Sequence, residues 1–277
     1  MKRMHLVEIA DLAWCPRGIR HGVSDYCRFL AEETGMFNLI APLLAEALRR
    51  TSARQVLDLG SGAAGPWLGL QCKLRELGID VPVCLSDFYP NLEAFERASR
   101  LSKGAITYRS ELVDATHVPE ELPGFRTMFQ AFHHLRPDQA RAVLADAAAK
   151  GVGIGVFEGG TRSILTFLGV LPTPIRVFLL APFIRPFRWS RLFWTYLVPV
   201  LPLVLLFDVV VSFLRIYSEP ELRDLTAGLD HYQWNIGKVR HKWLPISIPY
   251  LIGVPVEKAA EQDAAPDRGG ITALQSP

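Results

Sequence analysis

The stretch VLDLGSGAAG, residues 56–65, decides the fold of this chain. A short apolar run that contains Asp58 leads directly into glycines at positions 60, 62 and 65, and a helical pattern follows. Glycines let a backbone turn tightly and approach a ligand closely, and the N-terminus of the following helix lies beneath that ligand. The pattern therefore predicts a strand–turn–helix unit that binds a small molecule, with a dinucleotide fingerprint or a purely structural turn as alternatives.

Strands and helices alternate along the chain after this unit. We predict further strands at 81–87, 125–132, 151–159 and in the segments HYQWNIGKVR and SIPYLIGVPV, a strand with its exit loop over 106–116, and helices at 91–101 and 137–149. A helical arm over 22–50, with a break near Gly35, precedes the first strand. This rhythm predicts an α/β fold, a Rossmann-like parallel sheet with helices on both faces.

Two acids distinguish the turn from a dinucleotide site. An acid inside the glycine turn, Asp58, is unfavourable near a pyrophosphate but suits a cationic amino-acid ligand. Asp87 ends the next strand, at a spacing that suits ribose hydroxyls. With these features the sequence resembles the class I S-adenosylmethionine (SAM)-dependent methyltransferases, roughly over residues 52–160 and more loosely over 215–256.

The resemblance implies SAM as cofactor, S-adenosylhomocysteine as product, and a set of binding residues. In the family the glycine turn contacts the methionine part of SAM, the acid after the second strand binds the ribose, and later segments lie near the adenine and the methyl group. The matching positions here are Asp58, Gly60, Ser61, Gly62, Asp87, Phe88, Asp114, Ala115 and Gln130. Ala64 departs from the pattern, because a third glycine is common there.

The segment FQAFHHL (129–135) resembles the family's fourth motif and supplies candidate catalytic residues. His133 or His134 could orient the methyl acceptor or remove its proton, since histidine titrates near neutral pH. The alternative is that one histidine caps the next helix and the other packs. Glu158 at the end of the fifth strand is a third candidate, with a salt bridge to Arg162 or a neighbouring arginine as its alternative. In the arm, His21 and Tyr26 are candidate substrate contacts.

An apolar insertion at 163–214 interrupts the α/β rhythm. Residues 192–214 contain one charge, Asp208, and are long enough for a single membrane span, although Pro199 and Pro202 argue against a straight one. Arginines before this stretch and aromatics near its start are typical of a membrane interface, and here they are Arg176, Arg185, Arg188 and Arg191 with Trp189, Trp194 and Tyr196. A membrane anchor, a lid over an apolar substrate and a subunit interface, as in a homodimer, therefore all stay open.

The predicted organisation follows from these segments. It comprises an arm or lid (1–50), a SAM-binding core (51–162), the apolar insertion (163–214), the C-terminal part of the core (215–256) and a disordered tail (257–277).

Composition excludes several classes. Thirty Lys and Arg against 28 Asp and Glu give a net charge of +2, and no basic run with interleaved aromatics indicates nucleic-acid binding. The four cysteines lack metal-ligand spacing, so we expect no metal site and a reducing cytoplasm, with the inner face of the membrane as a possible location. Glu8 and Asp11 interrupt the N-terminal region, so no cleaved leader is expected.

The predicted function is SAM-dependent methylation of a hydrophobic small molecule or lipid. Oxygen is the favoured methyl acceptor, with sulfur or carbon as alternatives. Competing hypotheses are a nicotinamide-dependent oxidoreductase and a non-catalytic, membrane-associated SAM-binding protein.

Overall fold

The computed structural model describes residues 2–241 and 247–256 of the chain. Seven strands form one mixed sheet. They are β1 (Val56–Leu59), β2 (Val83–Ser86), β3 (Ile106–Tyr108), β4 (Phe125–Phe129), β5 (Ile154–Phe157), β6 (Tyr232–Arg240) and β7 (Ser247–Pro255). Their spatial order is β3-β2-β1-β4-β5-β7-β6. Strands β1 to β5 pair in parallel, and β7 runs antiparallel to both β5 and β6.

The predicted Rossmann-like α/β sheet is confirmed, although β7 departs from the parallel arrangement. Of the strand and exit loop predicted over 106–116, β3 takes Ile106–Tyr108 and the loop begins at residue 109. Residues 109–112 are polar or exposed, so they offer no buried face to continue a strand. The predicted tail lies outside the described residues.

Helices cover both faces of the sheet. Those of the arm and the core are α1 (Arg17–Thr34), α2 (Ala41–Arg50), α3 (Trp67–Glu76), α4 (Leu92–Leu101), α5 (Pro137–Ala149) and α10 (Glu219–Thr226). Alternate residues along β1 point to opposite faces, so Val56 belongs to the apolar cluster with α2 and α3, and Leu57 to the one with α5. The break predicted near Gly35 is confirmed, because Gly35 ends α1 in the left-handed conformation with φ +54°.

The insertion folds into four helices and one π-helical turn. The helices are α6 (Ile164–Val170), α7 (Thr173–Leu180), α8 (Trp189–Leu192) and α9 (Val200–Arg215), with the π turn at Phe193–Leu197. Within the described part of the chain no single helix is long and apolar enough to cross a membrane. Trp189–Leu197 and Val200–Arg215 reach that length and composition together, but they bend by 92° at the break. The insertion therefore does not form one straight span over 192–214.

A third apolar cluster joins this insertion to the arm. Ile19, Val23 and Tyr26 of α1 pack against Val177 of α7 and Leu201 of α9. The close approach depends on a glycine, because a Cβ on Gly22 would lie 2.8 Å from Leu201 Cδ2. The arm and the insertion thus form one helical layer beside the carboxyl edge of the sheet.

Candidate functional site

The glycine turn between β1 and α3 leaves an open surface at the carboxyl edge of the sheet. Gly60 and Gly62 have φ values of +66° and +52°, which favour glycine. A Cβ on Gly60 would lie 3.0 Å from Ala131 Cβ, whereas one on Gly62 would have no atom within 4 Å. Ala64 adopts the same left-handed region with φ +79°. The turn therefore keeps the geometry of a three-glycine motif, although an alanine stands at the third position.

Asp58 lies beneath this turn and not on its surface. Only 1% of the residue is exposed, and its carboxylate accepts hydrogen bonds from Thr127 Oγ1 at 2.6 Å and Ser61 Oγ at 2.7 Å. Burial raises the pKa of Asp58 to about 6. Ser61, buried with it, also accepts from the Ser86 amide at 3.2 Å. Asp58 and Ser61 therefore fix the turn from below, and a direct contact of the Asp58 carboxylate with a ligand does not fit its burial.

Asp87 joins the turn to the end of β2. Its carboxylate accepts from the Gly62 amide at 2.8 Å and from the Tyr89 amide at 2.9 Å. The carbonyl oxygen of Asp87 accepts from the Val113 amide at 3.0 Å. A half-buried carboxylate at this edge keeps lone pairs for hydroxyl donors.

The segments after β2 and β3 lie beside each other at this edge. Phe88 is 44% exposed and makes an edge-on contact with Tyr89, with ring centroids 4.9 Å apart. Asp114 accepts from the Thr116 amide at 2.8 Å and forms an Asx turn, next to half-buried Ala115. Phe88, Asp114 and Ala115, which the resemblance places near the adenine, therefore lie at the same edge of the sheet as the glycine turn.

Gln130 ends β4 in a left-handed conformation with φ +50°. Its amide donates to Phe157 O at 2.9 Å, and its side chain lies against Gly159. This strained backbone turns the chain from β4 into the histidine pair.

His133 is buried between two carboxylates. Its Nδ1 lies 2.8 Å from Glu158 Oε2, and its Nε2 lies 3.6 Å from Glu8 Oε1. The backbone amide of His133 donates to Glu158 Oε1 at 2.9 Å. Although burial alone would lower it, the two carboxylates raise the pKa of His133 to about 9. Contacts with Glu158 at both the ring and the backbone amide favour a positioning role for His133 over that of a general base.

His134 is more accessible than its neighbour, with a side chain that is 34% exposed. Its Nδ1 lies 3.1 Å from Asp11 Oδ2 and its Nε2 lies 3.8 Å from Glu8 Oε1. The two imidazole rings lie side by side, with centroids 4.4 Å apart. Of the two histidines, His134 is therefore the better candidate for contact with an acceptor.

Glu158 contacts His133 and not Arg162. Both of its carboxylate oxygens are taken by His133, and Arg162 instead binds Glu221. The alternative of a Glu158–Arg162 salt bridge is therefore wrong. Since Glu158 is itself only 6% exposed, it orients the His133 ring and is not free to meet an acceptor.

Sequence reasoning missed Glu8 as a member of this site. Glu8 is 7% exposed and also receives a hydrogen bond from Ser212 Oγ at 2.8 Å and contacts Arg215 Nη1 at 3.3 Å. Burial alone would raise the pKa of Glu8, but the nearby histidines and the Ser212 hydroxyl lower it to about 2. The sequence indicates Glu8 only as an interruption of a leader-like region, and no local motif predicts a contact with position 133.

The two substrate candidates in the arm are less well placed. Tyr26 is 2% exposed within the third apolar cluster, and its hydroxyl finds no hydrogen-bond partner in residues 2–241 and 247–256. Burial raises the pKa of Tyr26 to about 12. Tyr26 is therefore a core residue and does not line an open site. His21 is half-buried on the same helix.

Two of the four arginines predicted to flank a membrane interface point inward. Arg188 Nε and Arg191 Nη1 donate to Asp25 Oδ2 at 3.0 and 2.9 Å, and Arg191 is 1% exposed. Arg176 and Arg185 stay exposed. Of the four arginines, only Arg176 and Arg185 are therefore free to face a membrane surface, because a buried acid on α1 binds the other two.

A cavity of about 260 Å³ lies elsewhere, between the ends of strands β1 to β3 and the loop before β4. Its lining includes Leu57, Cys84 and Arg109 but none of the predicted site residues. The glycine turn and the histidine pair therefore form an open edge of the sheet and not the wall of this cavity.

Comparison with known proteins supports the fold. No family model and no curated protein matches the sequence. Among solved structures, the plantazolicin methyltransferase BpumL in complex with SAH is 10% identical, with a TM-score of 0.56 over 89% of this chain and 94% of that one. An O-methyltransferase family protein from Burkholderia thailandensis is 12% identical with a TM-score of 0.47, over 84% and 58% of the two chains. The mitomycin 7-O-methyltransferase MmcR is 14% identical with a TM-score of 0.44, over 78% and 53%.

The strand order and the similarity to BpumL define the architecture. This chain has the class I methyltransferase fold, as the resemblance in its sequence predicts. It spans little more than half the length of the Burkholderia and mitomycin proteins.

Proposed function

We propose that this protein is a SAM-dependent methyltransferase that binds SAM across the glycine turn. The observation that carries the proposal is the 2.8 Å hydrogen bond from the Gly62 amide to Asp87, which joins the open turn to a carboxylate at the end of β2. The turn suits an amino-acid moiety and the carboxylate suits ribose hydroxyls, so one small molecule can span both. The neighbour BpumL was solved with SAH, which supports the same ligand class here.

Methyl transfer at this site rests mainly on positioning. SAM carries an activated methyl group, so alignment of the acceptor with the sulfur–carbon bond supplies most of the acceleration. His134 is the group we propose to orient the acceptor or take its proton, because it is the exposed member of the histidine pair. His133 and Glu158 hold the adjacent backbone.

Calorimetric titration with S-adenosylhomocysteine tests the cofactor, with NADH as the control ligand. Micromolar binding of S-adenosylhomocysteine alone would support the proposal. Binding of NADH alone would indicate an oxidoreductase, and binding of neither would contradict a nucleotide site at this edge. Retained cofactor binding without turnover on lipid extracts would indicate a non-catalytic SAM-binding protein.

We also propose that the acceptor is hydrophobic and that the insertion rests on the cytoplasmic surface of a membrane. Sixteen large apolar side chains of the insertion are exposed, and we call them together the apolar surface. It comprises Ile164, Leu165, Phe167, Leu168, Leu171, Ile175, Phe178, Leu179, Phe183, Phe187, Trp189, Phe193, Tyr196, Leu197, Leu203 and Phe207. A soluble monomer rarely exposes so many large apolar side chains in one segment.

The composition of the apolar surface favours lipid over a protein partner. Trp189, Phe183 and Leu197 are 77%, 68% and 73% exposed. The exposed arginines Arg176 and Arg185 lie in the same segment and suit anionic headgroups. Because the 92° bend removes a straight span, this surface can enter the headgroup region without crossing the bilayer.

Sedimentation with phospholipid vesicles tests the docking. We expect wild-type protein to bind vesicles that contain anionic lipid and the variant Phe183→Ser/Trp189→Ser/Leu197→Ser to lose most of that binding. The matched control Leu101→Ser/Leu112→Ser changes exposed apolar residues outside the insertion and should bind normally. Equal vesicle binding by all three proteins would contradict the proposal. A wild-type dimer that the triple variant converts to monomer would instead assign the surface to a subunit interface.

A further inference from the structure

We infer that Glu8, His133 and His134 form a binding site for a divalent transition-metal ion of the zinc type. Glu8 Oε1 lies 3.6 Å from His133 Nε2 and 3.8 Å from His134 Nε2, and the three ligand atoms all lie within 4.8 Å of one another. Ligand atoms around a tetrahedral zinc ion, each bound at about 2.1 Å, are roughly 3.4 Å apart. The three side chains can therefore reach one ion with small shifts.

Both imidazole rings are held in an orientation that suits metal binding, because a carboxylate lies close to each Nδ1 atom. His133 Nδ1 lies 2.8 Å from Glu158 Oε2, and His134 Nδ1 lies 3.1 Å from Asp11 Oδ2. Histidines that bind a metal commonly donate their other ring N–H to a carboxylate, which fixes the tautomer and aims the free nitrogen at the ion. Here both rings follow that arrangement, and both Nε2 atoms turn toward the same oxygen of Glu8.

One ring nitrogen in this cluster lacks a partner. His133 is 4% exposed, and its Nε2 has no hydrogen bond within residues 2–241 and 247–256. A buried polar atom without a partner costs free energy. A metal ion bound to His133 Nε2 would remove that cost.

The charges around the rings also suit a cation. Glu8, Asp11 and Glu158 face the two imidazoles, while the Arg215 guanidinium contacts Glu8 and Asp11. Arg3 binds the carbonyl oxygen of His133, so the three carboxylates still outnumber the two arginines. A proton on His133 is the competing way to balance this charge. The metal and the proton can be distinguished by the residues that each requires. A metal ion requires both His134 and Glu8 as ligands, whereas a proton on His133 requires only the nearby carboxylates of Glu158 and Glu8.

Two His and one Glu are the ligand set of several zinc sites that keep a fourth position open. An ion here would fasten Glu8 of the arm to the histidine pair that follows β4. It would also occupy His134 Nε2, so activation of the acceptor would pass from the ring to the ion. The inference does not depend on the proposed function, because metal binding is measurable without turnover.

Metal titration of tag-free protein, stripped with chelator, tests the site. We expect one Zn²⁺ per chain, a rise in the melting temperature with Zn²⁺, and a visible absorption band of tetrahedral Co²⁺ when Co²⁺ replaces Zn²⁺. Glu8→Gln and His134→Asn should each weaken Zn²⁺ binding at least tenfold and remove the Co²⁺ band. The control His117→Asn, at an exposed histidine outside the cluster, should bind like wild type.

Either of two results would overturn the inference. One is the absence of stoichiometric binding by wild-type protein, and the other is equal binding by wild type, Glu8→Gln and His134→Asn. In either case the cluster is a protonated ion pair that positions backbone. S-adenosylhomocysteine titration of the same variants shows whether they fold and separates a failure here from a failure of the proposed cofactor.

Discussion

Replacement of Asp87 tests the cofactor site at the point where the geometry is most specific. The Asp87 carboxylate accepts the Gly62 and Tyr89 amides at 2.8 and 2.9 Å, and each oxygen keeps a lone pair for a ribose hydroxyl. Asp87→Ala removes both acceptors for the ligand. It also leaves the two amides without this acceptor, but water reaches them because Gly62 and Tyr89 are exposed, so the fold should survive.

The expected loss follows from the kind of hydrogen bond that is removed. A hydrogen bond to a charged group contributes about 1.5–3 kcal/mol. One such bond to a ribose hydroxyl would weaken S-adenosylhomocysteine binding roughly 10- to 150-fold, and two bonds would weaken it further, short of full additivity. Asp87→Asn keeps acceptor capacity but loses the charge, so its affinity should fall between those of wild type and Asp87→Ala.

Calorimetric titration with S-adenosylhomocysteine measures this effect. Asp80→Ala is the matched control, since Asp80 lies on the same stretch of chain with a 79% exposed side chain that pairs with Arg75. The reasoning is refuted if Asp87→Ala melts like wild type and still binds S-adenosylhomocysteine with unchanged affinity. In that case the ribose would not lie at the end of β2.

Three further predictions concern stability. The pKa of Asp58 is about 6 in the folded chain, above its ordinary 3.8, so ionisation disfavours folding, and the contribution of Asp58 to the unfolding free energy should fall by about 2 kcal/mol as pH rises from 4 to 7. Urea titrations should show a flatter profile for Asp58→Asn, and a parallel profile would contradict this. Ala64→Gly should raise the unfolding free energy by about 0.5 kcal/mol, because it relieves a left-handed alanine at the cost of chain entropy; a lower melting temperature would count against it. Asp208→Ala removes the acceptors of the Ile9 and Ala10 amides, which lie at 2.6 and 3.1 Å, so it should lower the unfolding free energy by about 1–3 kcal/mol. Limited proteolysis should then cleave the arm faster, and an unchanged cleavage rate would show that this contact does not hold the arm.

The parts of the fold that depend on neighbouring residues could be predicted from the sequence. Strand β1 and the glycine turn form a local pattern, and Asp87 follows the next apolar run, so parallel pairing of β1 with β2 brings them together at one edge. The capping box of Ser218 and Glu221 at the start of α10 is also local, with the Ser218 amide donating to Glu221 Oε2 at 2.8 Å. In each case the determining residues lie within a few positions of each other.

Contacts between distant segments could not be predicted in the same way. Glu8 meets His133 only because the arm folds across the end of β4, and no periodicity encodes that approach. Arg188 and Arg191 read as membrane-facing charges, but their direction depends on Asp25 of α1. Pro199 lies at the break of the 92° bend and is a local signal against a straight span, whereas the packing of α9 against the arm is a contact between distant segments.

The buried acids of the helical layer connect the apolar surface to the histidine pair. Asp208 of α9 binds the amides of Ile9 and Ala10, and Glu8 is the residue immediately before them. Movement of α9 would therefore displace Glu8 relative to His133, since the amide contacts are direct. The apolar surface belongs to the same insertion as α9, so the proposed contact with lipid would have a short structural route to the groups at the carboxyl edge of the sheet. Under the proposed function, an acceptor in a membrane would meet the protein where that route begins, which would give a physical reason for an insertion between β5 and β6.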